Sequence, residues 1–213
     1  MEKKFKVNKI ESEITIDGKG SSKYWNKANK IEEFSSPWVD NFDANTVFRA
    51  LYSDNNFYFI FDVKDENIYI DKTDDSIESI GNSDRVEIFF KKDDNLNPYY
   101  CFEMDSETRM MDFKAFPNKN FEFDCNWPKG EIELKSHVTA EGYSLEGRIS
   151  LESLNNFALI KDSIIQAGVY RAKFREIENS SNREDIWMPW VNPNTDEPNF
   201  HISSSFGIFE LEK

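Results

Sequence analysis

Two glutamates, Glu87 and Glu103, are the side chains of this sequence whose type and spacing best suit chemistry on a shared surface. Each lies in a run of alternating apolar and polar residues, 84–90 and 99–105, and this period of two is typical of a β-strand with one buried and one wet face. The two runs follow one another closely, so we expect them to pair and to place both carboxylates on one open face. Carboxylates placed in this way can accept hydrogen bonds from the hydroxyl groups of a ligand.

The same residue types also support a catalytic interpretation. Two carboxyl groups roughly 5 to 10 Å apart can cleave a glycosidic bond when one of them has a raised pKa. A glycoside hydrolase or lyase that uses two of Glu87, Glu103 and Asp105 is therefore the alternative hypothesis. Nearby cations would keep both acids ionised, which suits hydrogen bonding better than proton donation. The sequence thus favours a binding protein over an enzyme.

A basic strand and an aromatic loop supply the other candidate ligand contacts. The run 169–175 alternates so that Arg171, Lys173 and Arg175 share one side, and cations so placed need acids across the strands as partners. Glu87, Glu103 and Glu146 are the candidate acids. The segment that follows is rich in aromatic rings, and sugars bind to flat apolar groups beside planar polar ones. The predicted carbohydrate site comprises Glu87, Glu103, Arg171, Arg175, Trp187, Trp190, Phe200 and His201.

The sequence offers little material for a cofactor. It has two histidines and two cysteines, and Cys101 and Cys125 lack the spacing of a zinc site. We expect two unpaired, part-buried thiols, although only their separation in space decides whether a disulfide forms. Asp71, Asp74 and Asp75 lie in one acidic stretch, which leaves calcium open, but the spacing is not that of an EF-hand and favours a solvated loop. We therefore predict no cofactor.

Composition excludes several classes of partner. The chain of 213 residues has 40 acidic and 26 basic side chains, a formal charge of −14. Such a field repels phosphate backbones and anionic lipid headgroups, so we predict no nucleic-acid or membrane partner and expect a monomer. No hydrophobic leader is visible, which predicts a cytoplasmic protein, or a periplasmic or secreted one if the sequence is part of a longer chain.

The elements that must position these residues are short strands. Turn-forming residues separate alternating runs at three places and predict three hairpins, of which the clearest has Asp54-Asn55-Asn56 at its turn. The chain has 19 Phe, 8 Tyr and 5 Trp with which to fill a core. We predict an all-β, single-domain antiparallel β-sandwich over residues 1–213, jelly-roll or immunoglobulin-like, with two packed sheets and minor short helices. Further predictions are strands at 14–16 and 206–211, a brief helical piece that contains Tyr24 and Trp25, a helical turn at 151–154, and a core position for Trp25.

The sequence resembles the family 9 carbohydrate-binding modules and their wider sugar-binding-like β-sandwich relatives. The resemblance implies a jelly-roll-like sandwich that binds a saccharide and catalyses nothing. An ordered set of motifs over nearly the whole chain carries it: Ile16-Asp17-Gly18 with Trp25, the hairpin Arg49-Ala50-Leu51-Tyr52 to Phe57-Tyr58-Phe59, the run 84–90, Gly142-Tyr143-Ser144-Leu145-Glu146, and Phe206-Gly207.

The resemblance also implies where a ligand would lie. Two tryptophans clamp the sugar ring in such modules, and the matching positions here are Gly81 and Phe200. The carboxylate of the central strand is matched by Glu87. An arginine and an asparagine of the family pattern are replaced by Glu103 and Asp105. We therefore expect a site of the same kind with altered polar contacts.

Overall fold

The computed structural model describes residues 2–40, 42, 44–123, 127–176 and 183–213, with the backbone alone at 175, 176, 183 and 184. Strands dominate these residues, and the helices are short, which confirms the prediction of an all-β fold. The α-helices are α1 (Ile77–Gly81) and α2 (Leu151–Asn156), and 3-10 helices cover Lys23–Lys27, Pro117–Lys119 and Ser203–Ser205. The strands are β1 (Lys4–Lys9), β2 (Lys30–Ile31), β3 (Thr46–Tyr52), β4 (Asn56–Lys64), β5 (Arg85–Lys91), β6 (Tyr99–Asp105), β7 (Met110–Phe116), β8 (Asn120–Glu122), β9 (Ile132–Thr139), β10 (Gly142–Ser150), β11 (Ile160–Lys161), β12 (Ile164–Glu176), β13 (Arg183–Pro189) and β14 (Gly207–Leu211).

The strands form one continuous hydrogen-bonded path in the order β8-β7-β6-β5-β12-β14-β1-β3-β4-β10-β9. β11 and β13 pair with β12, and β2 pairs with β3. Neighbouring strands are antiparallel except at β1, which runs parallel to both β14 and β3. Purely antiparallel pairing is therefore a wrong prediction at β1. Because β1 joins the two halves of the path, the division into two separate packed sheets stays a prediction.

The main hydrophobic core contains residues from both halves of this path. Phe57 on β4 packs with its ring centroid 6.3 Å from that of Phe90 on β5 and 6.1 Å from that of Phe209 on β14. Phe59 and Phe61 project from the same side of β4 into this core, as the alternation predicts. Removal of these large rings from water is the main stabilising term of the fold.

A second hydrophobic cluster covers the opposite face of β5, β6 and β12. It contains Phe89, Cys101 and Tyr170 from these strands, and Phe200 and Phe206 from the chain between β13 and β14. As a result, every residue of β5 and β6 is buried. The prediction of an open, wet face on these strands is wrong, because the C-terminal loop folds back over it.

A buried glutamate organises the N-terminal segment. Residues 14–16 form no strand, contrary to the prediction, although Ile14 and Ile16 are buried. Oε2 of Glu146 accepts hydrogen bonds from the backbone N–H groups of Asp17 at 2.9 Å and Gly18 at 2.8 Å. Its Oε1 accepts from the indole N–H of Trp25 at 2.8 Å. Glu146 therefore lies inside the protein, where it binds the N-terminal segment and not the cations of 169–175 for which it was a candidate acid, and the core position predicted for Trp25 is confirmed.

The remaining local predictions agree with the structure. The three hairpins are confirmed as β3–β4, β6–β7 and β9–β10. The helical turn after residue 150 is α2, and the closing strand is β14. Among the residues described, no helix combines the length and apolar character needed to span a membrane.

Candidate functional site

Arg85, Glu87 and Glu103 form a cluster of charges on β5 and β6, which we call the charged floor. Glu87 lies directly opposite Glu103 in the β5–β6 ladder, so the predicted sharing of one face is confirmed. Nε of Arg85 lies 2.7 Å from Oε2 of Glu103 and 3.0 Å from Oε1 of Glu87. Nη1 of Arg85 also donates to the carbonyl of Gly81, at 2.6 Å. One guanidinium thus holds both carboxylates and fixes them to the end of α1.

The carboxylate of Glu87 is buried but incompletely satisfied. Its exposed fraction is 1%, and its Oε1 makes no hydrogen bond to any residue that the structure describes, although Arg85 is close. Burial, followed by the negative charge of Glu103, raises the pKa of Glu87 well above its ordinary value, while Arg85 acts in the opposite direction. The site therefore disfavours two negative charges held by one cation. A ligand that donates hydrogen bonds here would relieve this cost.

A cavity of about 240 Å³ lies above the charged floor. This is below the roughly 300 to 1,000 Å³ typical of pockets for drug-sized ligands, so it suits one ring-sized ligand. Its mouth reaches the surface, because Lys119 and Pro198 on its lining are exposed. The other residues that line it, beside the charged floor, are Phe121, Trp187, Asn199, Phe200 and His201.

Ring packing fixes the aromatic walls of this cavity. Phe200 stacks on Tyr170, with ring centroids 4.2 Å apart and planes inclined by 17°. Trp187 meets the edge of Phe200 at 5.6 Å, and the guanidinium of Arg85 lies 5.3 Å from a Trp187 ring centroid. Such contacts restrict the rotamers of these rings before any ligand arrives.

His201 contributes a ring and a hydrogen-bonding nitrogen to the cavity. It stacks on Phe89 at 5.1 Å, and its Nδ1 lies 2.9 Å from the hydroxyl oxygen of Tyr99. Burial, with smaller effects of Lys119 and Arg85, lowers the pKa of His201 to about 3. The imidazole is therefore neutral at physiological pH and adds no charge to the site.

The structure brings five of the eight predicted site residues together. These five line one cavity: Glu87, Glu103, Trp187, Phe200 and His201. Phe200 is 4% exposed, so it acts as a wall packed on Tyr170 and not as a ring on an open loop. The side chain of Arg175 lies outside the described part of the chain.

The predicted position of Arg171 beside Glu87 is wrong. Tyr170, and not Arg171, stands opposite Glu87 in the β5–β12 ladder, so Arg171 and Lys173 project from the other face. There Arg171 pairs with Asp65, and Nζ of Lys173 lies 2.7 Å from Asp65 and 2.9 Å from Asp84. Asp65 and Asp84 therefore form the ion pairs of Arg171 and Lys173, for which Glu87, Glu103 and Glu146 were the predicted partners.

Trp190 and Asp105 also lie away from the cavity. Trp190 belongs to the main core, where its ring packs against Phe5 at 6.5 Å and Phe209 at 5.8 Å, so its predicted place beside the charged floor is wrong. Asp105 is fully buried and bonds Nε of Arg109 at 2.7 Å. Of the three carboxyl groups considered for catalysis, Asp105 is therefore excluded, and Glu87 and Glu103 remain.

Arg85, Lys119, Phe121 and Asn199 line the cavity without having been predicted as site residues. The sequence could have indicated Arg85 as a site residue, because Arg85 stands two residues before Glu87 in the same strand and so shares its face. Lys119 lies in a 3-10 helix and Phe121 in the short strand β8, but the sequence of this segment has no periodicity that indicates where a side chain points. Their place in the site depends on the tertiary fold.

The described residues of the cysteine and calcium predictions do not line the cavity. Cys101 is a buried free thiol, and Cys125 lies outside the described residues. The guanidinium of Arg109 donates to the carbonyls of Asp71 and Asp74, at 2.9 and 2.8 Å. No group of three or more His, Cys, Asp or Glu side chains that could hold a metal ion occurs among the residues described.

Comparison with known proteins shows a fold and a family. A candidate carbohydrate-binding protein from Bacteroides uniformis ATCC 8492 has a similar crystal structure, with a TM-score of 0.77 and 16% identity over 100% of both chains. Two similar structures are of a family 9 carbohydrate-binding module from Caldicellulosiruptor kristjanssonii. The complex with cellotriose has a TM-score of 0.62 at 18% identity, over 99% of this chain and 94% of that one. The complex with glucose has a TM-score of 0.58 at 19% identity, over 99% and 96%.

These identities are low enough that the structural likeness shows the fold alone. No curated protein matches the chain. The family model for the carbohydrate family 9 binding domain-like proteins matches residues 16–213, which is most of the sequence. The chain therefore belongs to this family.

Proposed function

We propose that this protein binds carbohydrate without catalysis and holds one saccharide residue in the cavity above the charged floor. The observation that carries the proposal is the pair of opposed carboxylates, Glu87 and Glu103, at the base of a ring-sized cavity with aromatic walls. Family membership supports it, as does the presence of cellotriose and glucose in the related structures.

The chemistry of the lining suits a sugar. Oε1 of Glu87 accepts no hydrogen bond from the described residues, and the hydrogen bond from Arg85 to the carboxylate of Glu103 ends on its Oε2. Both can accept from sugar hydroxyl groups, and hydrogen bonds to ionised acceptors are the stronger kind. Phe121, Trp187 and Phe200 offer apolar faces for the C–H groups of a sugar ring. Because the protein already holds these groups, little ordering remains to be done when the ligand binds.

The proposal includes the finer description of the fold. The two halves of the strand path would form the two layers of a jelly-roll-like sandwich, with β1 as the strand that they share. Ring contacts between β4 and the strands β5 and β14 support this arrangement. A crystal structure would test it, and two halves that do not face each other across the main core would contradict it.

One observation favours the enzymatic alternative. The pKa of Glu87 is raised beside a second carboxylate, which is a property of a general acid. However, both carboxylates reach the same nitrogen of Arg85 from one floor, whereas glycoside hydrolysis needs acids that flank the scissile bond. An assay for reducing ends released from cellulose, xylan and chitosan separates the two functions. Turnover that Glu87→Gln abolishes would replace the binding proposal with catalysis.

Calorimetric titration tests the proposed function. Wild-type protein is titrated with glucose, cellotriose, glucosamine and glucuronate, and so are Glu103→Gln and a control, Glu210→Gln. Glu210 is an exposed carboxylate paired with Lys4, away from the cavity. A hydrogen bond to a charged group contributes about 1.5 to 3 kcal/mol, so we expect Glu103→Gln to weaken binding about ten-fold or more. The control should bind like wild type. No binding of any sugar to the wild type would contradict the proposal.

A further inference from the structure

The charged floor carries an imbalance of charge that bears on the class of sugar bound. Two carboxylates, on Glu87 and Glu103, face one guanidinium, on Arg85, and all three side chains are at most 6% exposed. When both acids are ionised, the floor therefore carries one excess negative charge in a site shielded from water. Such a charge costs free energy unless a partner compensates for it.

Without a ligand, a proton bound by Glu87 compensates for this charge, as its raised pKa indicates, whereas a ligand can compensate for it only from the cavity. Arg85 already lies between the two carboxylates, and its Nη1 is committed to the carbonyl of Gly81. Glu87 lines the cavity, and its Oε1 is a buried oxygen with no hydrogen bond to the described residues. The floor therefore presents acceptors and needs donors. An ammonium group offers three donors together with the missing positive charge.

The other charged groups around Glu87 do not remove the imbalance. His201 packs over this face as a neutral ring, because burial lowers its pKa to about 3. Lys119 lies on the lining but is exposed, so water and salt screen its charge. Arg171 and Lys173, the cations of β12, pair with Asp65 and Asp84 on the opposite face.

We infer that the cavity selects a saccharide residue with a free amino group over its neutral counterpart, and selects both over a uronic acid. This inference rests on the proposed function, since the aromatic walls must hold the sugar ring. An amino sugar places one ammonium among hydroxyl groups, which satisfies two carboxylates at once. A uronate would place a third carboxylate against the two of the floor, and like charges held closely together repel strongly.

A set of matched sugars tests this selectivity. Glucose, glucosamine, N-acetylglucosamine and glucuronate are titrated into the wild type at about pH 6, where an amine of ordinary pKa is protonated. We expect glucosamine to bind about ten-fold tighter than glucose, and glucuronate to be the weakest ligand. N-Acetylglucosamine should bind no more tightly than glucose, because the acetyl group removes the positive charge of the amine.

Two variants and an acyclic amine test whether the charged floor causes the preference for glucosamine. Glu103→Gln should remove the preference for glucosamine over glucose, whereas Glu210→Gln should keep it. Equal affinities for glucose and glucosamine in the wild type would overturn the inference and leave the proposed function standing. Butylamine that binds as tightly as glucosamine would also overturn it, because the site would then recognise a cation and not a sugar. Failure of all four sugars to bind would overturn the proposed function itself.

Discussion

Glu146 and Glu87 are two buried carboxylates with opposite surroundings. Glu146 is fully buried, and it accepts three hydrogen bonds from neutral donors: two backbone N–H groups and the indole of Trp25. Glu87 is equally buried, yet among the described residues its carboxylate pairs with one guanidinium that it shares with a second carboxylate, and it lines a cavity. A carboxylate that the chain itself satisfies stabilises local structure. A carboxylate that the chain leaves partly unsatisfied beside a cavity is suited to a ligand.

Glu146→Ala is the change with the largest expected effect. It leaves two buried donors, the N–H of Gly18 and the indole of Trp25, and one part-buried donor, the N–H of Asp17, without an acceptor, and each unsatisfied buried group costs about 1 to 3 kcal/mol. We therefore expect the free energy of unfolding in urea to fall by about 3 kcal/mol or more. Glu210→Ala, which removes an exposed carboxylate, should change it little. A Glu146→Ala protein as stable as the wild type would show that this cluster does not hold the N-terminal segment.

Glu87→Gln should affect function and not stability. The amide keeps the size of the side chain and removes one of two close negative charges, so we expect the free energy of unfolding in urea to stay the same or to rise. The affinity for the saccharide, measured by calorimetry, should fall about ten-fold because a charged acceptor is lost. If Glu87→Gln instead destabilised the protein as much as Glu146→Ala, the contrast between the two clusters would be wrong.

The pH dependence of stability provides a further test of Glu87. A raised pKa means that the folded state binds this proton more tightly than the unfolded chain, in which a Glu titrates at about 4.3. The contribution of Glu87 to stability is therefore fully present below that pH and is lost as pH rises towards the folded pKa. We expect wild type to lose stability relative to Glu87→Gln over this window, by urea unfolding at several pH values. A difference that stays constant with pH would rule out the raised pKa.

Gly81→Trp is expected to give the smallest effect. The family resemblance assigns an aromatic clamp to this position, and a Cβ atom built on Gly81 has nothing within 4 Å. The backbone at Gly81 is tied to the charged floor through Arg85. We expect the added ring to tighten saccharide binding by about three-fold, since an aromatic contact contributes about 0.5 to 1.5 kcal/mol. Gly81→Ala is the matched control and should bind like wild type; a Gly81→Trp protein that binds more weakly would place the clamp elsewhere.

The part of the site that could be predicted from sequence rests on local hairpin geometry. Glu87 and Glu103 lie on adjacent strands joined by one turn, so residue alternation and pairing suffice to place them on one face. The error at Arg171 has a physical cause. Val169 enters the main core while its neighbour Tyr170 enters the second cluster, so both faces of β12 are buried and alternation no longer separates inside from outside.

Long-range contacts account for the other errors. Trp190 packs in the main core against Phe5 and Phe209, which lie at opposite ends of the sequence. Residues 14–16 alternate like a strand, but their backbone is held by side chains and not by a neighbouring strand: the N–H of Ile14 donates to the hydroxyl of Tyr58, and Nζ of Lys135 donates to the carbonyl of Ile16. Neither contact leaves a periodic signal in the sequence, so each becomes visible only when the chain is folded.

Amide chemical shifts during a saccharide titration test the central claim most directly. In ¹⁵N–¹H spectra we expect glucosamine and glucose to shift the amides of β5, β6 and residues 199–201, which surround the charged floor. The amides of Asp17 and Gly18, held by the satisfied Glu146, should not move. Shifts confined to the β9–β10 hairpin or to residues 14–18, with none at β5 and β6, would contradict the assignment of the saccharide site to the cavity above Glu87 and Glu103.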